Sequence, residues 1–362
     1  MKRRITLLPI TIGLIILAVL TYFSGLLITT SIFDYRPENR TVLRLPPYEQ
    51  QPFIQGDTFS LLSWNIGYAG LGMESDFFYD GGKMVIPPEH LYEKYYAGVL
   101  RQIEEFNNID LILLQETDTF STRSYYQNHY RDIAAGLGSH QGIFVKNYDS
   151  RFVPVPVHQP MGRVVSGLSL FTRLPLAEAE KIVFDENYAW PTRLFMPDRC
   201  FLAAKIPVNQ TVSLVVINLH LSAFDDGKLR NAQLETVSDF MKTAWMNGHY
   251  VLAGGDWNMN PHEDDFRDFL SGDEAFSIPL LSASSVFDSS WHIAFDPDFP
   301  TNRDVSAPYI KGKTPTTIID FYIASPNIEI LEIRTLYDEF SYSDHHPVFL
   351  RFRLNPTLPA KI

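Results

Sequence analysis

The chain opens on an apolar block that nothing later repeats. Between Ile5 and Phe33 no residue is charged, and the run is longer than the roughly 20 residues a helix needs to cross a bilayer. The pattern predicts one transmembrane helix over 5–33. A cleaved signal peptide is the competing reading. It wants an apolar core of about 7–15 residues followed by small residues at the cut, which Thr21-Tyr22-Phe23-Ser24-Gly25 matches poorly. Lys2, Arg3 and Arg4 precede the block, so residues 1–4 are expected to stay cytoplasmic and the body to lie across the membrane. Residues 34–56 contain Pro37, Pro46, Pro47 and Pro52 and no clear period. They read as a tether.

From residue 57 onward the pattern becomes short apolar runs, each closed by polar residues. Runs at 59–66, 109–114, 142–146, 167–171, 201–206, 212–219, 250–253, 317–324, 328–334 and 348–352 predict strands. Apolar positions at helical spacing predict helices over 88–106 and 228–245. No second linker interrupts 57–362, so one large α/β domain is expected. Many strands with helices between them suggest two sheets packed face to face with helices outside.

Composition sharpens this picture in three ways. With 45% hydrophobic and 14% aromatic residues the body can bury a substantial core. The formal charge of −12 includes the three basic N-terminal residues, so the body alone is more acidic still. Such a surface repels phosphate backbones and speaks against a dedicated nucleic-acid binder. Cys200 is the only cysteine, which excludes a disulfide framework and a cysteine-based zinc site.

Candidate chemistry sits at the polar ends of the predicted strands. The stretch Ser341-Tyr342-Ser343-Asp344-His345-His346-Pro347 places imidazoles beside a carboxylate ahead of a strand, which suits a general base near neutral pH or a plain surface turn. Asp320 lies amid β-branched residues, where a charge is costly unless paired; His345 would supply that pairing. Glu116, after five apolar residues, is a sound hard-metal ligand or a capped strand end. Asn65 and the pair Asp256 and Asn258, behind Gly254-Gly255, fit turns as well as a site. His220 interrupts an apolar run, as a satisfied core histidine also would.

Together these segments resemble the endonuclease/exonuclease/phosphatase superfamily of metal-dependent phosphoesterases. The matching text is Ser63-Trp64-Asn65-Ile66, Leu113-Leu114-Gln115-Glu116, Asn218-Leu219-His220-Leu221, Gly255-Asp256-Trp257-Asn258, Ile319-Asp320-Phe321 and Ser343-Asp344-His345 followed by Pro347. The resemblance implies a DNase I-like, four-layer α/β/β/α sandwich with the site at one edge of the paired sheets. It implies that Asn65 and Glu116 hold a divalent metal, Mg²⁺ or another hard cation such as Mn²⁺, with Asp344 close by. His220 would contact the phosphate and assist the leaving group, Asp256 and Asn258 would orient water and phosphate, and Asp320 would align His345. The Gly-Tyr-rich segment of apurinic endonucleases is not evident around 142–148.

The 67–85 segment reads as a loop after Asn65, either substrate-facing or a surface excursion. Lys83, Arg163, Arg193 and Arg199 are candidates for gripping an anionic headgroup. The expected protein is a monomeric, membrane-anchored phosphoesterase with its catalytic domain outside the cytoplasm. A surface nuclease of the same superfamily, or a silent binding domain on the same fold, are the alternatives.

Overall fold

The computed structural model describes residues 7–45, 54, 56–223, 227–261 and 286–355. The basic residues 1–4 and most of 46–56 therefore lie outside the described residues. Helix α1 (Leu7–Ile32) is apolar around its whole circumference, and its Pro9–Ile32 portion is long and apolar enough to cross a membrane. Its polar side chains are satisfied locally. Thr21, Thr29 and Thr30 donate their hydroxyls to the carbonyls four residues back at 2.7–2.8 Å, which lowers the cost of those groups in an apolar surrounding.

Strand β1 (Arg40–Val42) follows, then β2 (Thr58–Asn65), α2 (Glu89–Glu105), β3 (Leu111–Asp118), α3 (His129–Gly136), β4 (Gln141–Val153) and β5 (Gly162–Thr172). The chain continues through β6 (Glu178–Val183), β7 (Cys200–Pro207), β8 (Ser213–His220), α4 (Lys228–Met246) and β9 (Tyr250–Asp256). The last elements are β10 (His292–Ala294), β11 (Asn302–Arg303), β12 (Thr316–Thr317), β13 (Asp320–Ala324), β14 (Ile328–Thr335) and β15 (Val348–Leu354). One sheet has the order β1-β6-β7-β8-β9-β13-β10 and the other β14-β15-β2-β3-β5-β4.

Strand alternation explains the layering. Leu61, Leu113, Leu202, Val216, Leu252 and Leu350 point between the sheets and share one core. Their neighbours Leu62, Trp64, Ile112 and Leu114 point the other way, onto Tyr92, Val99 and Ile103 of α2 and Ile133 of α3. On the opposite outer face Val215, Ile217, Val251 and Ala253 meet Leu234, Val237 and Met241 of α4. Every central strand is thus buried on both faces, and the result is the expected four-layer α/β/β/α sandwich.

Two sequence expectations are corrected. The predicted strand over 317–324 is split into β12 and β13, because the Ile319 and Asp320 N–H groups both donate to Thr301 Oγ1 at 3.0 Å rather than to a neighbouring strand. In the expected tether, residues 34–45 lie against the domain: β1 runs antiparallel to β6, with Thr41 opposite Lys181. A three-residue edge strand is too short to show an alternating pattern, and its ladder hydrogen bonds come from a partner far along the chain.

Candidate active site

Three neighbouring strands deliver polar residues at one level. β8 and β9 run parallel and end together, while antiparallel β13 begins beside them, so His220 pairs with Asp256 and Asp256 with Asp320. The approach requires glycine at position 255, where φ is +145° and a Cβ would lie 2.1 Å from the Leu219 carbonyl oxygen. His220 Nε2 sits 3.2 Å from Asp256 Oδ2. Asn258, with φ of 51°, donates its backbone N–H to Asp256 Oδ1 at 2.9 Å and its side-chain amide to the Leu221 carbonyl at 2.9 Å.

The other sheet supplies Asn65 and Glu116. Asn65 reaches across the gap, donating Nδ2–H to Asp256 Oδ2 at 3.0 Å while its Oδ1 accepts from the Gly67 N–H at 3.0 Å. Glu116 sits where β3 slips register against β5, between Leu114 and Thr117, with φ of 54°. Such a bulge re-aims a side chain, and a left-handed non-glycine residue is strained backbone of the kind found at functional sites. Arg123 braces it. Its guanidinium donates to both Asp118 oxygens at 3.0 and 2.9 Å, stands 4.0 Å from Glu116 Oε2 and stacks 3.8 Å from the Tyr68 ring centroid. Beneath lies a buried polar staple between the sheets. Gln115 donates to Asn218 Oδ1 at 2.7 Å, and Asn218 donates to the Leu114 and Ser169 carbonyls at 3.0 and 2.9 Å.

The turn before β15 completes the cluster. His345 Nδ1 lies 2.7 Å from Asp320 Oδ2. Its Nε2 faces Asn302 Nδ2 at 3.0 Å, Asn65 Nδ2 at 3.5 Å and Asp256 Oδ2 at 3.7 Å. The turn is pinned to β2 by Trp64 Nε1–H, which donates to the His345 carbonyl at 2.9 Å, and by Ser343 Oγ–H on the Asn65 carbonyl at 2.8 Å. Gly67, at φ +51°, makes room for Asp344, since a Cβ there would lie 2.7 Å from Asp344 Oδ1. Neighbouring His346 is scaffold: its ring stacks on Phe340 with 3.8 Å between centroids and its Nδ1 lies 2.8 Å from the Pro300 carbonyl.

The electrostatics follow from burying this much charge. Burial alone would depress His345, but Asp320, Asp256 and Asp344 together raise it to about 10. Asn302 Nδ2 against Nε2 suits the proton-accepting ring, and the same amide turned over would present its oxygen to the protonated ring. Burial first, then Asp320, lifts Asp256 to about 7 against the pull of His345. His220 is held well below its usual value by burial and the fields of Arg199 and His345, so it is neutral. Its Nδ1 is buried and finds no hydrogen-bond partner among the described residues. Glu116 and Asp344 are both raised by burial, and the neighbouring Asp344 raises Glu116 further.

Carboxylates that resist ionising together fit a cation. Among the described residues, Asp256, Asp320 and His345 bring ligand atoms within 4.8 Å of one another. Those atoms are engaged with each other: Asp320 holds His345, and Asp256 Oδ2 accepts from Asn65. On the other side of the cluster no hydrogen bond reaches the Glu116 carboxylate among the described residues, and Asp344 Oδ1 accepts only from Ser343 at 3.3 Å. The hard oxygen donors of Glu116, Asp344 and Asn65 therefore fit a divalent metal better than the histidine-bearing trio.

The predicted site residues Asn65, Glu116, His220, Asp256, Asn258, Asp320, Asp344 and His345 thus converge. The predicted cations do not. Arg163 pairs with Asp149 at 2.5 Å and Arg193 with Asp34 at 2.6 Å, and Lys83 is exposed on its loop. Only Arg199 faces the cluster, its charge bearing on Glu116 and Asp256 with no hydrogen bond or ion pair among the described residues. Arg123 and Asn302 carried no signal in the sequence, because each acts through a contact distant or unpatterned along the chain. Gln115 and Asn218 stood inside the matching segments without an assigned part.

A sandwich whose two sheets bring their strand ends to one polar edge defines the DNase I-like class of phosphoesterases. The family model described as Endonuclease/Exonuclease/phosphatase family matches residues 62–345, and the chain belongs to that family. Its members are hydrolases of phosphate esters, and so is this enzyme. Similar solved structures agree in fold. An endonuclease/exonuclease/phosphatase from Beutenbergia cavernae is 17% identical with TM-score 0.59, covering 84% of this chain and 73% of its own. ANGEL2, a 2',3'-cyclic phosphatase, is 16% identical with TM-score 0.53, covering 84% of this chain and 98% of its own. Humanized D. rerio TDP2 is 14% identical with TM-score 0.52, covering 82% and 99%. No curated protein matches the chain.

Proposed function

We propose that this protein is a membrane-anchored, divalent-metal-dependent phosphoesterase, with its catalytic domain outside the cytoplasm, in which an Asp320–His345 pair assists attack of water on a phosphate ester. The observation that carries this reading is Asp256 held between His220 and His345, with Asp320 2.7 Å behind the His345 ring. Glu116, Asp344 and Asn65 would hold the metal, Mg²⁺ by the hardness of the donors, which supplies charge neutralisation at the phosphate when bound. His345 takes up or holds a proton at Nε2, oriented by the Nδ1–H bond to Asp320, and Asp256 accepts from the groups that position the water. Neutral His220 presents a ring to the phosphate, and the Arg199 guanidinium offers the free cation for its oxygens. Asn258 acts from behind, by fixing Asp256.

The test is a panel of esters given to the purified full chain in detergent, with Mg²⁺ and after exhaustive EDTA dialysis. Phosphomonoesters, a generic phosphodiester, lipid phosphates and plasmid DNA separate the substrate classes. Full activity after dialysis ends the metal assignment. Hydrolysis of none of them leaves the binding-domain alternative standing.

A further inference from the structure

The apolar helix and the active site are joined by one loop. α1 does not end in slack chain: Ser31, in its last turn, accepts from Trp190 Nε1–H at 3.2 Å, and Asp34 accepts from Arg193 at 2.6 Å. The Arg151 guanidinium stands 4.0 Å over the Phe33 ring, Lys146 stands 4.0 Å over Tyr35, and Lys181 Nζ donates to the Tyr35 hydroxyl at 2.9 Å. The chain then enters the sheet as β1. Trp190 therefore lies at the level of the last helical turn, where a spanning helix meets the headgroups, and it is 57% exposed there. Tryptophan beside arginine and lysine is the composition of a membrane interface. Val155 and Val157, in the β4–β5 connection that follows Arg151, add apolar surface, with Val157 76% exposed.

The same loop runs from the end of β6 past Trp190 and Arg193 to Arg199, whose charge bears on Glu116 and Asp256 of the site. Arg199 lies six positions after Arg193, a reach of at most about 21 Å at full extension. Asp198, next to Arg199, is raised to about 6 by burial and, among its charged neighbours, by Asp34 at the helix exit. Helix exit and site are thus joined by the short stretch from Arg193 to Arg199.

From the loop's two ends we infer that the 184–199 segment lies on the bilayer surface and that the substrate is the phosphorylated headgroup of an amphiphile embedded in that same leaflet. This rests on the phosphoesterase reading above. The occupant of the Trp190 surface is the lipid interface, continuous with the helix that crosses it; apolar side chains at that level gain by burial there. A substrate fixed in the same plane as the enzyme is presented at high effective concentration, whereas nucleic acid is repelled by an acidic body beside an anionic membrane.

The test uses the full chain reconstituted in vesicles of phosphatidylethanolamine and phosphatidylglycerol, with sphingomyelin and a polyprenyl phosphate added in separate batches. Headgroup release is compared with hydrolysis of water-soluble bis(4-nitrophenyl) phosphate. Trp190→Ala is expected to lower the rate on vesicle lipid by about tenfold and leave the soluble ester unchanged, with Trp190→Phe restoring most of the loss. Hydrolysis of the soluble ester with none of the lipids overturns the inference and spares the phosphoesterase reading. Equal losses on both substrates overturn it too, and hydrolysis of neither ends both. Brominated lipid supplies a readout independent of turnover and of the alanine variant's folding. Quenching of tryptophan fluorescence should fall in Trp190→Phe relative to wild type, and unchanged quenching overturns the placement of the loop.

Discussion

At the scale of single residues, the site depends on side chains that hold other side chains. His345 is useful only because Asp320 fixes its tautomer through a 2.7 Å contact. Asp320→Asn should leave the fold intact and cut turnover by about 10²–10⁴. His345→Ala and the double variant should be about equally inactive, since residues acting as one unit are strongly non-additive; additive losses in a rate-based cycle would break the pair. The sign of the pH dependence follows from the raised imidazole. A proton acceptor lifted toward about 10 is mostly protonated at neutral pH, so kcat/KM should rise with pH until the proton is lost. Removing the Asp320 carboxylate lowers that pKa, so the rising limb should move to lower pH in Asp320→Asn. A limb that stays put assigns it to another group.

Arg123 acts the same way on Glu116. Arg123→Met removes the brace 4.0 Å from Oε2 and leaves Asp118 buried and unpaired. Arg123→Lys keeps the charge but loses the paired donors and the stack on Tyr68. For the lysine variant the expected result is a fall of about 10–100-fold in apparent Mg²⁺ affinity, the scale seen when groups orienting a ligand are lost. Magnesium titrations of turnover at fixed substrate measure it, and an unchanged midpoint with reduced kcat would exclude the role.

At the scale of elements, strain and close packing replace propensity as the organising forces. Gly67 stands at φ +51° with Asp344 against its missing Cβ. Gly67→Ala should therefore cost about 1–3 kcal/mol of stability and displace Asp344, lowering activity by more than the folded fraction falls. Thermal unfolding and turnover on one preparation separate the two effects. The core strands were readable from sequence because their apolar runs are long and buried on both faces. β1, three residues at a sheet edge, was not, and neither was the bulge at Glu116, which is a register event between strands rather than a pattern within one. The site was readable where chemistry sits at strand ends, as at Asn65, His220, Asp256 and Asp320. It was opaque where function depends on a contact across the fold. Asn302 meets His345 only because residue 302 bridges to residue 345, and the pairings of Arg163 and Arg193 with Asp149 and Asp34 are invisible to residue counting.

At the scale of the whole molecule, the N-terminal segment supplies both an apolar helix and the edge of a sheet. Deleting residues 1–33 should give a soluble protein with unchanged turnover on a soluble ester, because β1 remains. Deleting residues 1–45 also strips β1 and leaves the β6 edge unpaired, an invitation to association between copies. That longer truncation should unfold at lower temperature and run larger in gel filtration. Equal behaviour of the two truncations would show that β1 adds nothing to the domain.

The position of β15 sets a condition on biosynthesis. The last strand of the chain is not at an edge: it lies between β14 and β2, paired with both, and the turn that carries Asp344 and His345 immediately precedes it. Ribosomes deliver residues in order, so β2 waits for its partner until Val348–Leu354 have been made. A contact so distant along the chain forms late. The apolar α1 helix is therefore made long before any hydrolytic centre exists, and a nascent chain arrested ahead of residue 343 should be inert. Hydrolytic competence thus waits until the turn at Ser343–His345 and the β15 strand behind it have been made.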